Sequence, residues 1–437
     1  MKIKKALSNI NRYNLWIWLM FFSFAYEKPV FLISSLDKVN PRLFDILLLL
    51  GILITFKKKT IYSNPIFKQW AIIIFWFTIV TLIGVMIFPF TWQIKQMMFY
   101  FLFEYYKGLL AILIFLRIPK KYYSLDTIMN AMVAGGVFVA SYCVYELNTG
   151  ISEVIVAGNN VLMKPAGMVW GPYIGSYFEI AVFLPLAASI SFVMLLHSKV
   201  KNKIFMSIVT LYISWPVFFT GSRTAIFLWL LSLSIIILLS LKRSIFVLLT
   251  MCVLLAGTAT LTTKLDFIFD VNENQTLERM RSLEEGDHHD SILNRIFLFK
   301  NFDISNYDQS DVLPIIGGGF YVSPTNGHHR VGFGVHNIYL FPFEQAGIIG
   351  FILFLMFIYV SIKILRKGLK QLDKNSLSYW FVVAVYAYFV ASLLIGISGH
   401  TFWRGFTTYN FNTLRILLLV AASMLIIENK KLKKVFR

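Results

Sequence analysis

Apolar residues run almost without interruption along most of this chain, in stretches of about 20 residues. A helix rises about 1.5 Å per residue, so such a stretch crosses the roughly 30 Å hydrocarbon core of a bilayer. The pattern predicts an all-α polytopic membrane protein with about twelve transmembrane helices. The predicted spans are 14–33, 41–56, 70–90, 97–117, 127–146, 171–196, 204–220, 223–241, 244–263, 336–362, 378–398 and 408–427.

The seventh and eighth predicted spans are separated at a glycine. A single helix over 204–241 would place Arg223 near the bilayer centre, where an arginine costs about 2.5–3.5 kcal/mol. We therefore predict that the chain turns at Gly221 and that Arg223 begins the next helix at the membrane surface.

One large polar segment, 264–335, interrupts the apolar pattern between the ninth and tenth spans. We expect two short helices within it, over 277–283 and 292–300. A shorter polar segment, 147–170, is rich in turn-forming residues. The shorter segment is expected to connect two helices and to roof a cavity.

The composition agrees with a membrane protein, because 57% of the residues are hydrophobic and 14% are charged. Ordinary soluble domains contain about 45–50% apolar and about 25% charged residues. Basic residues gather at every second connection between spans, and the positive-inside bias then places both termini in the cytoplasm. The basic clusters are 2–12, 57–68, 117–121, 199–203, 242–243, 363–374 and 430–437.

The long polar segment has the opposite charge balance. Residues 264–335 hold 11 of the 22 acidic residues but only six of the 41 basic ones, while the whole chain is at +19. The excess positive charge is therefore a signal of topology, and anionic lipid headgroups are the expected partner rather than nucleic acid. Three regions are predicted: helices 1–9 in 1–263, an extracytoplasmic loop with short helices in 264–335, and helices 10–12 with a basic cytoplasmic tail in 336–437.

A secondary transporter is an alternative function, and ionisable residues within the spans are the features to examine for it. Glu104 and Lys107 are three residues apart, so an ion pair on one helix face is expected. Glu146 and Glu179 lie near helix ends. Secondary transporters commonly contain paired repeats, and the two halves of this chain do not resemble each other.

Three residues at the predicted extracytoplasmic boundary are the candidates for chemistry: Arg223, Arg295 and His336. A guanidinium matches two phosphate oxygens at once, so two arginines at one cavity suit a diphosphate. Structural alternatives exist for each residue. Arg223 can reach lipid headgroups and Arg295 can pair with Asp290 or Asp303, while His336 can serve as a hydrogen-bonded boundary residue.

A metal site is not expected. The histidine pairs His288-His289 and His328-His329 consist of adjacent residues, a spacing that does not direct two side chains to one ion on a helix. We predict neither a metal nor another cofactor.

Five short motifs follow one another in the second half of the chain. They are Thr220-Gly-Ser-Arg223-Thr-Ala, Arg295-Ile-Phe, Pro314-Ile-Ile-Gly-Gly-Gly-Phe320, His336-Asn337-Ile-Tyr-Leu340 and Ala346-Gly347-Ile-Ile-Gly350. In order and spacing they resemble the O-antigen ligase and polymerase superfamily. The motifs cover 204–362, and the predicted layout of helices and loop is similar to that of the superfamily over nearly the whole chain.

The resemblance implies an inverting glycosyltransferase that moves a glycan from undecaprenyl diphosphate to an acceptor hydroxyl. The reaction would take place on the periplasmic face of the bacterial inner membrane, without nucleotide sugar or metal. Arg223 and Arg295 would bind the donor diphosphate, and His336 would act as general base or position the acceptor hydroxyl. The supporting residues would be Asn337, Glu344 and Arg404.

Two positions depart from the superfamily pattern, and one spacing bears on the acceptor. Phe227 stands where the ligase pattern has a leucine, and Leu228 is the next residue. Gln345 stands where members often have a glutamate, and Glu344 is adjacent to it. The spacing from His336 to Gly347 favours an O-antigen ligase, whose acceptor is the lipid A core of lipopolysaccharide. The alternative is a polymerase that joins lipid-linked repeat units, and a transporter of lipid-linked glycans is a less favoured third interpretation.

Overall fold

The structure is a computed structural model. The described residues are 11–26, 28, 30, 41–56, 62–87, 92–119, 122–150, 153–156, 160–163, 168–173, 178–198, 200–240, 322–323, 330–331, 338–396 and 409–435. They form the α-helices α1 Arg12–Ser23, α2 Leu43–Thr55, α3 Pro65–Ile87, α4 Trp92–Arg117, α5 Leu125–Thr149, α6 Phe178–His197, α7 Val200–Ser214, α8 Arg223–Ser240, α9 Leu340–Gln371, α10 Leu377–Ile395 and α11 Tyr409–Val435.

The remaining regular structure is small. A 3-10 helix, Trp215–Phe219, directly follows α7. Strands β1 Glu153–Val156 and β2 Asn160–Met163 pair antiparallel, as do β3 Val322–Ser323 and β4 Arg330–Val331. The predicted all-helical class is therefore confirmed for the described residues apart from these two short hairpins.

Seven of the described helices are long and apolar enough to cross a membrane, and three shorter apolar helices accompany them. Eleven of the twelve predicted spans coincide with a helix, which supports a membrane protein. The span predicted over 244–263 lies outside the described residues. The count of twelve and the fold of the loop over 264–335 therefore stay predictions.

Several helix boundaries differ from the predicted ones, and α9 extends to Gln371 rather than residue 362. The first helix ends at Ser23 rather than near residue 33. α6 begins at Phe178 rather than at residue 171. Gly171 has φ +70°, a left-handed conformation, so residue 171 is not part of a helix. α11 extends to Val435, so most of the predicted basic tail is a continuation of this helix.

The helices group into two compact units, each built from separate parts of the chain. The first unit consists of Met1–Lys57, Ile118–Asp287 and Asp373–Ala391. The second unit consists of Lys58–Arg117, His288–Leu372 and Ser392–Arg437.

In the first unit, α6 is enclosed by α5, α7 and α8. Glycine allows close approach of the helices at Gly136, where an added Cβ atom would lie 2.9 Å from the Ala187 Cβ and 3.0 Å from the Ile213 Cδ1. On the next turn of the α6–α7 contact, the Ser191 and Thr210 hydroxyls are 2.7 Å apart. Small side chains and paired hydroxyls thus let these helices pack tightly.

In the second unit, α3 packs between α9 and α4. The Trp70 ring contacts the Phe357 ring at 5.5 Å, and the Trp76 indole N–H donates to the Ala346 carbonyl oxygen at 3.0 Å. Trp70 precedes Trp76 in α3, whereas their partners Phe357 and Ala346 follow the opposite order in α9. The two helices are therefore antiparallel. This direction agrees with the alternation that the basic clusters predict.

The expected ion pair on α4 is confirmed. The Lys107 Nζ lies 2.6 Å from the Glu104 Oε1, and the Glu104 side chain is almost completely buried. A buried carboxylate is tolerated when it is paired, so the ion pair accounts for this acidic residue inside an apolar helix.

We expect Gly136→Leu to destabilise the protein, because the new side chain would overlap Ala187 and Ile213 in the α5–α6–α7 contact. Overpacking of this kind costs about 1–3 kcal/mol. Thermal unfolding of the purified protein in detergent measures the effect. Val133→Leu on the same helix is the control, since Val133 is only half-buried. Equal melting temperatures for the two variants would contradict this packing.

Candidate functional site

The turn predicted at Gly221 is present in the structure. Gly221 has φ +70°, and α8 begins two residues later at Arg223. The Ser222 hydroxyl accepts the Ala225 N–H at 3.3 Å and so caps the helix. The prediction of a turn here, with Arg223 in the first helical position, is confirmed.

A buried segment without helical structure packs against this turn. All residues of Met168–Tyr173, called the strap below, are buried. The Val169 N–H donates to the Phe219 carbonyl oxygen at 2.9 Å. A Cβ atom added to Gly221 would lie 1.5 Å from the Met168 Cε, so the end of the Met168 side chain occupies the space that the glycine leaves.

The other side of the strap is bound by Glu146, near the C-terminal end of α5. Its Oε2 accepts the Trp170 N–H at 3.0 Å and the Gly171 N–H at 2.8 Å. Glu146 is 5% exposed. Two hydrogen bonds to one carboxylate oxygen hold the strap backbone where a helix supplies no partners.

In the second unit, α9 contains a break at the Ala346-Gly347 motif. Gly347 has φ 64° and ψ −168°, and Ala346 is also outside the helical region. The Ala346 carbonyl oxygen accepts the Trp76 indole N–H, and the Gln345 side chain is buried. The span predicted as one continuous helix is therefore interrupted near its beginning, at a conformation that is essentially restricted to glycine.

The residues that follow His336-Asn337 are anchored in the same unit. The Ile338 N–H donates to the Gly396 carbonyl oxygen at 3.0 Å, and the Tyr339 hydroxyl donates to the Leu393 carbonyl oxygen at 2.9 Å. These two hydrogen bonds fix the start of α9 against the last residues of α10.

The structure describes the predicted site residues only in part. The backbones of Arg223 and Glu344 belong to α8 and α9, and their side chains lie outside the described residues. The residues Arg295, His336, Asn337 and Arg404 lie wholly outside, as do the pairs His288-His289 and His328-His329. The meeting of the two arginines with His336, and the absence of a metal, therefore stay predictions.

A buried polar group on α11 was not among the predicted site residues. Arg415 is 5% exposed and Asn412 is 1% exposed, although both lie in an apolar helix. The Tyr105 hydroxyl faces the Asn412 side chain, and Gly108 lets α4 approach Thr413. An arginine inside the predicted span 408–427 was the available signal, since buried charges in membrane helices commonly mark functional regions.

No protein-family model matches the chain, and no curated protein matches it either. The function is therefore inferred from the motifs and from the geometry of the described residues.

We expect Gly347→Ala to destabilise the protein, because alanine does not adopt the φ and ψ angles of this position without strain. Strain of this kind costs about 1–3 kcal/mol. Thermal unfolding in detergent provides the measurement. Ile348→Ala is the control, since Ile348 is the next residue along the chain and is 40% exposed. A Gly347→Ala variant as stable as the wild type would show that the break in α9 is not required.

Proposed function

We propose that this protein is an inverting membrane glycosyltransferase that uses an undecaprenyl-diphosphate-linked glycan as donor, most consistently an O-antigen ligase. The observation that carries the proposal is the Gly221 turn, which makes Arg223 the first residue of α8. The N-terminus of a helix attracts anions, and a guanidinium binds phosphate oxygens in pairs. A helix N-terminus and a guanidinium together suit the binding of the diphosphate group of a lipid at the membrane boundary.

The proposed reaction needs few protein groups. The acceptor oxygen attacks the anomeric carbon of the donor sugar while the bond from that carbon to the diphosphate oxygen breaks. The bonding electrons leave with the diphosphate, and Arg223 and Arg295 stabilise its negative charge. His336 accepts the proton of the acceptor hydroxyl, because an imidazole can take up a proton near neutral pH. Attack from the opposite face inverts the anomeric configuration.

The described residues that follow His336 in the sequence support a fixed chain at the start of α9. Ile338 and Tyr339 are hydrogen-bonded to the end of α10, so the chain is anchored within three residues of the histidine. The break at Gly347 lies on the following turns. Irregular backbone at membrane depth is tolerated where it is buried in protein or lines an aqueous cavity, and an active site for polar sugars needs such a cavity.

Transport of a lipid-linked glycan is a second candidate. Discontinuous helices and buried ionisable residues are features of secondary transporters, and the break in α9 and the buried Arg415 are of this kind. A transporter would move the glycan across the bilayer without forming a glycosidic bond, and it would continue to do so after His336→Ala.

We predict that Arg223→Ala, Arg295→Ala and His336→Ala each lower the rate of transfer by about 100-fold or more, because loss of a general base or of charge stabilisation costs about that much. Arg295→Lys should restore little activity, since an ammonium does not bind two oxygens in a fork. The measurement is transfer from purified lipid-linked glycan in proteoliposomes.

The control for these variants is Arg366→Ala, which removes an exposed cation at the other end of α9. It should transfer glycan at the wild-type rate. Full activity of any of the three alanine variants at the proposed site would contradict the role assigned to that residue.

A deletion strain separates the two acceptors. If the protein is a ligase, its loss should leave long polymer on the lipid carrier and none on the lipid A core. If it is a polymerase, its loss should leave a single repeat unit attached to the core. Electrophoresis of lipopolysaccharide together with analysis of the carrier lipid distinguishes the patterns, and an unchanged profile of both would contradict either assignment.

A further inference from the structure

The carboxylate of Glu146 is buried in the first unit, where it forms hydrogen bonds with the backbone of the strap. It accepts the N–H groups of Trp170 and Gly171, which belong to a segment that no helix stabilises. An apolar side chain at this position would leave both N–H groups without this acceptor, and a buried backbone donor without a partner is costly. Glu146 therefore holds the strap against the C-terminal end of α5.

The strap in turn contacts the Gly221 turn at two points. The Val169 N–H donates to the Phe219 carbonyl oxygen, and the Met168 side chain fills the space beside Gly221. Both contacts are made within four residues of Arg223 along the chain. A displacement of the strap therefore reaches the residues that immediately precede α8.

The local hydrogen bonds of the turn do not replace this link. The Thr220 hydroxyl donates to the Val217 carbonyl oxygen at 2.8 Å and accepts the Ser222 N–H at 3.3 Å. These bonds connect residues of the same turn, so they fix its shape. Its position relative to α5 depends on contacts with other elements. The strap is one of them, and the 3-10 helix Trp215–Phe219, which also contacts α5, is another.

We propose that Glu146 is a positioning residue for Arg223. Through the strap it holds the Gly221 turn in place and so sets where the Arg223 guanidinium meets the diphosphate of the lipid-linked donor. The inference rests on the proposed function, because the diphosphate is that of the proposed donor.

The test uses the full-length protein in lipid nanodiscs and undecaprenyl diphosphate as the probe. Glu146→Gln keeps the shape and one acceptor oxygen but loses the charge, whereas Glu146→Asp keeps the charge and withdraws the carboxylate by one methylene. Both should bind the probe about tenfold more weakly, since hydrogen bonds to charged groups and small displacements of a binding group have effects of this size. The KM for the donor should rise more than kcat falls.

A double variant distinguishes a positioning role of Glu146 from a general effect on stability, because a positioning role requires Arg223. In an Arg223→Ala background, Glu146→Gln should change the affinity by less than about twofold, because coupled residues are not additive. Ser191→Ala is the matched control. It removes the buried contact with Thr210 in the same unit and should lower the melting temperature without changing the affinity for undecaprenyl diphosphate.

Met168→Leu provides a variant that conserves side-chain volume and is expected to fold. It should weaken binding about threefold, because the straight side chain that reaches Gly221 is replaced by a branched one. If the Glu146 variants do not fold, an unchanged affinity in Met168→Leu overturns the inference.

The outcomes distinguish this inference from the proposed function. If Arg223→Ala loses affinity while folded Glu146→Gln and Glu146→Asp bind like the wild type, Glu146 is not a positioning residue and the diphosphate site stands. If Arg223→Ala itself binds undecaprenyl diphosphate like the wild type, the diphosphate site at Arg223 is wrong whatever the Glu146 variants do.

Discussion

Hydrogen bonding of the backbone inside a membrane protein is the constraint on which this structure depends. Hydrocarbon offers no partners for N–H and carbonyl groups, so each buried segment of nonhelical backbone needs partners from the protein. The strap has the Glu146 carboxylate and the Phe219 carbonyl, and the break in α9 has the Trp76 indole. The strap contacts the turn before Arg223, and the break in α9 lies within the Ala346–Gly350 motif.

The positions of most helices were predictable because a transmembrane helix needs about 20 apolar residues whatever surrounds it. The split between α7 and α8 was also predictable, since Gly221 and Arg223 together disfavour one long helix. The break in α9 was not. Gly347 lies in an apolar run, and the conformation there is accompanied by a hydrogen bond from Trp76, which is 270 positions away in the sequence.

The candidate site was predictable to a smaller extent. The place of Arg223 at a helix start followed from local residues, and the structure agrees. The sequence places Glu146 near a helix end, but its partners in the strap arise from tertiary packing. The burial of Arg415 follows from the packing of α11 against α4, which the sequence alone does not show. The roles of Arg295 and His336 rest on the motifs alone, since neither residue is described.

Specific hydrogen bonds hold the nonhelical segments of this helical scaffold, and we propose sugar transfer by Arg223, Arg295 and His336. The most direct test is nuclear magnetic resonance analysis of the anomeric configuration in the product that purified protein forms from lipid-linked glycan. A new glycosidic bond whose configuration is opposite to that of the sugar–diphosphate bond, with release of undecaprenyl diphosphate, is the predicted result. Retention of configuration, or a glycan that remains on its carrier, would contradict the account.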